Sequence, residues 1–347
     1  MLTARAMNEV HQQIEALRRE WGRRLLVLGH HYQDDAVLQH ADVIGDSLEL
    51  ARQAGASAAE RIVFCGVHFM AESADLLTAP EQAVYMPDTS AGCPMADMAE
   101  AHRVARAWDL LERSGGGWLP VVYVNSTAEL KALVGRHGGA TCTSSNAARV
   151  WQWALAQNRR VFFLPDEHLG RNTAADLGIA DADVARFDPR APDGGLDPAT
   201  LGRVRVLLWQ GFCPIHVVFT LEQVRAIRAQ EPDARIIVHP ETPREVVRLC
   251  DAHGSTSQII RYVEGLPAGT TVYVGTEAHL VRRLAERLRP RGVTVKLLRT
   301  SICPNMAKTN ERNLLAVLQH WPDRNRVRVP AHLVADARQA LERMLRL

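Results

Sequence analysis

Three of the six cysteines in the chain are followed by proline: Cys93-Pro94, Cys213-Pro214 and Cys303-Pro304. With proline near 5% of residues, chance would give three such pairs among six about 0.2% of the time. Each pair lies just past a short apolar run of strand character, at 83–86, 204–209 and 293–297. A thiol at one fixed place in three successive segments constrains the fold strongly. It predicts one structural unit used three times, with three thiols converging on one metal centre.

The rest of the chain can be written on that repeat. The first unit has strands at 25–28 and 61–65, with Gly29-His30-His31-Tyr32 ending the first strand and Gly45-Asp46-Ser47 opening a helix. The second has strands at 121–124 and 161–164, with Tyr123 and Asn125 at the end of the first strand and Cys142-Thr143-Ser144-Ser145-Asn146 before a helix. The third has strands at 235–238 and 271–274, followed by His239-Pro240-Glu241 and Gly275-Thr276-Glu277, with Gly254-Ser255-Thr256-Ser257 opening a helix. Fully apolar strands alternating with helical patterns predict an α/β fold with short parallel sheets covered on both faces. We therefore expect three similar α/β/α domains, covering 1–113 with an N-terminal helix, 114–232, and 233–347 with a C-terminal helix. A pseudo-threefold arrangement would place their strand ends around one central site. Residues 171–200, rich in Asp, Pro, Gly and Ala, read as a surface excursion between two strands.

A net charge of +2 with no basic block excludes a nucleic-acid tail and gives no attraction to an anionic membrane. No apolar run approaches 18 residues, so no membrane-spanning helix is expected. The N-terminus, residues 1–24, reads as a charged amphipathic helix and not as a secretion signal, which points to a cytoplasmic protein. Six cysteines are too few for a disulfide framework in a chain of 347 residues.

Thiols in a reducing compartment serve as core residues, nucleophiles or metal ligands. Cys65, Cys142 and Cys250 each occur in one unit only and read as core residues. Cys93, Cys213 and Cys303 read as metal ligands. Three thiolates on a [4Fe–4S] cluster leave one iron without a protein ligand, and that iron can act as a Lewis acid. Zinc on the same thiols with His216 as fourth ligand is the competing donor set. Ser47, Thr143-Ser144-Ser145 and Ser255-Thr256-Ser257 stand where helix N-caps are expected, and ordinary capping accounts for any one of them. Three together, on helix N-termini facing one centre, suit a substrate carrying carboxylates or phosphate. His30, Tyr32, Tyr123, Asn125, His216, His239 and Glu241 supply polar groups at strand ends, with His31, Glu72 and Glu277 read as supporting residues. No P-loop, G-x-G-x-x-G or H-E-x-x-H occurs, so nucleotide binding and zinc proteolysis lack their usual motifs.

The strings Gly29-His30-His31-Tyr32-Gln33, Tyr123-Val124-Asn125-Ser126, Cys142-Thr143-Ser144-Ser145-Asn146-Ala147, Trp209-Gln210-Gly211-Phe212-Cys213, His239-Pro240-Glu241 and Gly275-Thr276-Glu277 closely resemble the quinolinate synthase family. The resemblance runs from about residue 25 to residue 315. It implies condensation of iminoaspartate with dihydroxyacetone phosphate to quinolinate, with loss of phosphate and water, in NAD biosynthesis. It implies a [4Fe–4S] cluster on Cys93, Cys213 and Cys303. It also implies substrate contacts at His30, Tyr32, Ser47, Tyr123, Asn125, Ser144, His216, His239, Glu241, Ser255 and Thr256. Tyr32, Tyr123, Glu241 and His30 would move protons. An aspartate-oxidising enzyme that supplies iminoaspartate is the implied transient partner. Leu297 and Thr300 stand where some members carry two further cysteines before the third ligand, so switching through a local disulfide is not expected. Two other classes remain at this level: another cluster-dependent hydro-lyase acting on a small hydroxy acid, and a non-catalytic scaffold stabilised by zinc.

Overall fold

A computed structural model describes residues 4–347, with side chains from residue 8 onward. The first three residues of the expected N-terminal helix therefore lie outside the described residues. The helix itself runs Ala4–Trp21.

The strands follow the repeat. The first set is β1 (Leu25–His30), β2 (Val43–Gly45), β3 (Arg61–Cys65) and β4 (Ala83–Tyr85). The second is β5 (Trp118–Tyr123), β6 (Ala140–Cys142), β7 (Arg160–Leu164), β8 (Val184–Phe187) and β9 (Val206–Trp209). The third is β10 (Arg235–Val238), β11 (Ala252–His253), β12 (Thr271–Gly275) and β13 (Thr294–Leu297), and β14 (Arg326–Val327) ends the series. They form three separate sheets, ordered β2-β1-β3-β4-β14, β6-β5-β7-β9-β8 and β11-β10-β12-β13. Leaving aside β14 and β8 at the edges, each sheet has one order: second strand, first, third, last. All pairings are parallel except β14 against β4. The first strand of each sheet thus has the second on one side and the third on the other. In open α/β sheets that reversal opens a crevice at the carboxyl ends of the strands, where ligands bind.

The repeat extends to side chains that motif reading does not find. Asp42 precedes β2 and accepts the Val27 N–H on its carboxylate at 2.7 Å, while its own N–H donates to the Val27 carbonyl. Asp251 precedes β11 and does the same with Ile236, also at 2.7 Å. Each carboxylate is held by an arginine, Arg18 and Arg228 respectively.

The chain divides into two compact units. The first comprises Met1–Cys93 and Ile302–Pro330. Its core joins Val27, Val63, Cys65 and Tyr85 from the sheet to Ile14 of the N-terminal helix and to Leu314, Leu315 and Leu318 of the helix Glu311–His320. Arg61, at the amino end of β3, lies over the rings of Trp21 and Trp321 at 5.1 and 4.6 Å. Charge at that end of the sheet is accounted for by stacking.

The second unit comprises Pro94–Ser301 and Ala331–Leu347 and holds the other two sheets. One core cluster packs Trp118, Trp209, Phe162, Phe187 and Leu207 against Val104 and Trp108 of the helix Ala101–Arg113. The C-terminal helix Ala331–Arg346 lies on the helix Ala128–Arg136 and on β6. Gly135 allows that approach: a Cβ there would stand 1.9 Å from the Asp336 carbonyl oxygen.

The segment expected as a plain surface excursion is more structured than its composition suggests. It contains the end of the helix Glu167–Asp176, the edge strand β8 and the helix Pro198–Arg203. β8 is a V-A-R-F run with only Phe187 buried, too short and mixed to show a period. Among the described residues, no helix is long and apolar enough to cross a membrane.

Candidate functional site

In the first unit, β1 ends on His30, which is 3% exposed. Its Nδ1 accepts the Tyr32 N–H at 3.2 Å, and the two rings meet edge to face at 4.7 Å. In the second unit His239, just past β10, accepts the Glu241 N–H on Nδ1 at 3.3 Å. Two histidines at equivalent strand ends thus share one local geometry, His-x-Tyr and His-x-Glu. A ring nitrogen that accepts a bond leaves the other, Nε2, to donate.

The hydroxyls before the helices correct one expectation. The cap of the helix Ser47–Ala56 is Asp46, whose carboxylate accepts from Leu48 and Glu49 at 3.1 and 3.0 Å. One carboxylate serves two N–H groups, so Ser47, half-buried at the first helical position, is outside the cap. Asn146 occupies the cap of the helix Ala147–Leu155, and its Oδ1 accepts from the Thr143 N–H at 2.8 Å instead of from the helix. Only Ser255 caps as expected, in a capping box with Gln258 ahead of Thr256. Its Oγ also bonds Ser145 Oγ at 2.9 Å, so the neighbour of Ser144 makes this contact. Glu277 caps the helix Ala278–Leu288 and bonds His279 Nδ1 at 2.9 Å, which gives it a structural task.

Five of the expected residues come together within the second unit. His216 Nδ1 lies 2.7 Å from Glu241 Oε2, and its Nε2 lies 3.1 Å from Thr276 Oγ1. The His216 and His239 rings stack at 4.3 Å, and Tyr123 hydrogen-bonds Glu241. Cys213 belongs to the same group: its thiol, a His216 nitrogen and a Glu241 oxygen all lie within 4.8 Å of one another. Asn125, two residues past Tyr123, has a buried Oδ1 with no partner, which suits it to receive a ligand N–H.

Glu241 is 2% exposed and Asp166 is fully buried. Burial alone would raise Glu241, but attraction to His239 and His216, with hydrogen bonds from His216 and Tyr123, holds it below the usual carboxylate range. Asp166 moves the other way: burial and then the Glu241 charge push it well up, against backbone N–H bonds from Leu169, Cys213 and His168. Their surroundings thus push the two carboxyl groups in opposite directions, Glu241 towards the ionised form and Asp166 towards the neutral one, the divergence that acid and base chemistry uses.

Asp166 was not among the residues singled out from the sequence as functional. Its Oδ2 accepts the Cys213 N–H at 3.1 Å and its Oδ1 caps the helix Glu167–Asp176 through Leu169 at 2.7 Å. Its signal is an acid at a helix cap directly after an apolar strand. Lys131, fully buried and donating to the Ser126 carbonyl, has no such signal in an ordinary amphipathic helix.

The chemistry of the thiols separates them into two sets. Cys65 and Cys142 are buried, and burial raises both, Cys65 to about 12. Cys250 is half-buried, donates to the Val246 carbonyl at 3.3 Å, and is also pushed by burial to about 12. Thiols that resist ionisation make poor metal ligands. Cys93, Cys213 and Cys303 are half-buried, each past the last strand of its repeat and followed by an exposed proline. That donor set fits a soft, thiolate-bound group. Brief treatment of the cluster-free protein with iodoacetamide near pH 8 is expected to alkylate these three and spare Cys65, Cys142 and Cys250, as read by peptide mass spectrometry. Labelling of Cys65 or Cys142 at comparable rates would contradict the division.

The family model described as "Quinolinate synthetase A protein" matches residues 12–346. A quinolinate synthase of Geobacillus kaustophilus is 47% identical over 98% of this chain and 94% of its own. Those of Streptomyces coelicolor and Bacillus subtilis are 46% and 45% identical, over 96% and 97% of this chain and 86% and 93% of theirs. These comparisons lend no support to a different hydro-lyase or to a non-catalytic zinc scaffold. A match over nearly the whole length leads to one conclusion: the chain belongs to the quinolinate synthetase A family.

Proposed function

We propose that the chain is a cytoplasmic quinolinate synthase of NAD biosynthesis, condensing iminoaspartate with dihydroxyacetone phosphate to quinolinate, phosphate and two waters. In this reading each repeat (1–113, 114–232 and 233–347) brings one thiolate, from Cys93, Cys213 and Cys303, to a [4Fe–4S] cluster. When bound, such a cluster supplies one iron without a protein ligand, a Lewis acid for dehydration. The observation that carries the reading is the buried Tyr123–Glu241–His216 network beside the Cys213 thiol.

The chain's own residues divide the remaining work. Glu241, held ionised, orients and polarises Tyr123 and His216, and these two, bonded to it, pass protons to and from the substrate. His239 and His30, with Nδ1 committed to backbone N–H groups, donate from Nε2 to substrate oxygens. Tyr32, packed on His30, moves a proton at its hydroxyl. Asn125 Oδ1 accepts from the substrate nitrogen. Ser47, Ser144, Ser255 and Thr256, at or near helix starts, hold carboxylate or phosphate oxygens, favoured there by the positive end of the helix dipole. Iminoaspartate is unstable in water, so a transiently docked aspartate-oxidising enzyme is the natural source.

Anaerobically purified protein is expected to be brown, with about four irons and four sulfides per chain. It should form quinolinate when given both substrates. A colourless zinc protein, or a brown one that makes no quinolinate, would overturn this reading.

A further inference from the structure

In the first unit, well removed in sequence from the Cys-Pro thiols, His40 is fully buried between two carboxylates. It follows the short helix Asp35–Leu38. Its Nδ1 lies 2.7 Å from Glu15 Oε1 of the N-terminal helix, and its Nε2 lies 3.0 Å from Glu311 Oε1 of the helix Glu311–His320. A neutral imidazole donates from one nitrogen only. With the proton on Nδ1 and shared with Glu15, Nε2 and Glu311 Oε1 are two lone-pair atoms facing each other at 3.0 Å. Something positive must stand between them, either a second proton or a metal ion.

A third donor stands beside that gap. His11, one helical turn before Glu15, has its ring 4.9 Å from the His40 ring, tilted by 41°. One donor atom each from His11, His40 and Glu311 lie within 4.8 Å of one another. We propose that His11, His40 and Glu311 form a site for a single divalent cation of the zinc class, with water as fourth ligand, that staples the N-terminal helix to the helix Glu311–His320.

The donor chemistry favours zinc. Two imidazole nitrogens and one carboxylate oxygen are a ligand set that zinc takes with an open fourth position. Ligands about 2.0–2.1 Å from a tetrahedral ion stand roughly 3.3 Å from each other, close to the Nε2–Oε1 spacing already present. His11 stands beside that pair, with its ligand atom within 4.8 Å of both others. Glu15 supplies the carboxylate behind the ligating histidine, which fixes the tautomer and makes Nε2 more basic. Glu15 is itself held by Arg18 at 2.9 Å, and Gln39 donates to Glu311 at 3.1 Å. The orienting groups are thus themselves fixed. None of its residues belongs to the thiol set or is assigned a step above.

The test uses the full chain, carrying its native metal content, incubated with zinc chloride, desalted and analysed by elemental mass spectrometry. Wild type should retain one zinc per chain more than His11→Ala, and Glu311→Gln should lose the same zinc. Glu15→Gln should bind it about 10–100-fold more weakly, because the tautomer is no longer fixed. Equal zinc in wild type and His11→Ala would mean that the metal sits elsewhere, on the thiols for instance, and would overturn the proposal. Absence of any added zinc in wild type would do the same and would assign the bridge between His40 and Glu311 to a proton. Quinolinate formation should be unchanged in His11→Ala, and circular dichroism of both ligand variants checks that the fold is kept.

Discussion

Glu241→Gln is expected to lower turnover by about 10²–10⁴-fold, the usual range for loss of a positioned proton-transfer group. A carboxylate offers two acceptor oxygens to the His216 Nδ1–H and to Tyr123. A glutamine offers one acceptor and one donor, so one of these groups is left facing a donor in a site with 2% exposure. A buried group without its partner costs about 1–3 kcal/mol, so the melting temperature should fall as well. The negative charge that pushes Asp166 up also disappears, and Asp166 becomes easier to ionise. The kinetic and structural effects separate in one comparison. Thr242→Val, next in sequence and fully buried with an unpartnered hydroxyl, changes packing without touching the proton path. Should Glu241→Gln lose no more turnover than Thr242→Val, Glu241 holds the fold and does not take part in proton transfer.

The parts of this fold legible in the sequence are those that repeat. Apolar runs ending in His30, Tyr123 and His239 mark the first strand of each sheet, and all three strand ends carry polar groups. The common strand order follows from those runs, because buried parallel strands declare themselves by continuous Val, Ile, Leu and Phe. What escaped the sequence is short or non-local. β14 has two residues and exists because Arg326 and Val327 meet Tyr85 and Val84 across some 240 positions. The landing place of the C-terminal helix depends on Gly135, an unremarkable glycine in a helical pattern until a carbonyl is found 1.9 Å from its missing Cβ.

The site shows the same division. His239-Pro240-Glu241 is legible as a motif, but the partners of Glu241 come from β5 and from the loop after β9, and no spacing rule links them. Serines before helices look alike on paper. Only the fold distinguishes Ser255, which caps, from Ser47, whose neighbour Asp46 caps better. Asp166 was visible only as a helix cap, because the bond from the Cys213 N–H to its carboxylate joins residues 47 positions apart.

Cys213→Ala should abolish quinolinate formation and leave less than one iron per chain, while the fold survives. The thiol is half-buried, and the backbone N–H that binds Asp166 is retained in alanine, so the local loop keeps its anchor. Loss of one small, partly exposed side chain costs about 1 kcal/mol or less. Loss of one thiolate out of three leaves two ligands, too few to hold a cube whose assembly needs all of them. A Lewis acid is worth several kcal/mol of transition-state stabilisation, so activity should fall by at least about 10²–10³-fold. Cys250→Ala is the matched control. That thiol is also half-buried, yet burial pushes it to about 12 and it donates to the Val246 carbonyl, so it ligates nothing. Iron content, the brown chromophore and turnover should all be normal in Cys250→Ala. A Cys213→Ala protein that retained four irons and full turnover would remove Cys213 from the ligand set, and with it the argument that three Cys-Pro pairs serve one centre.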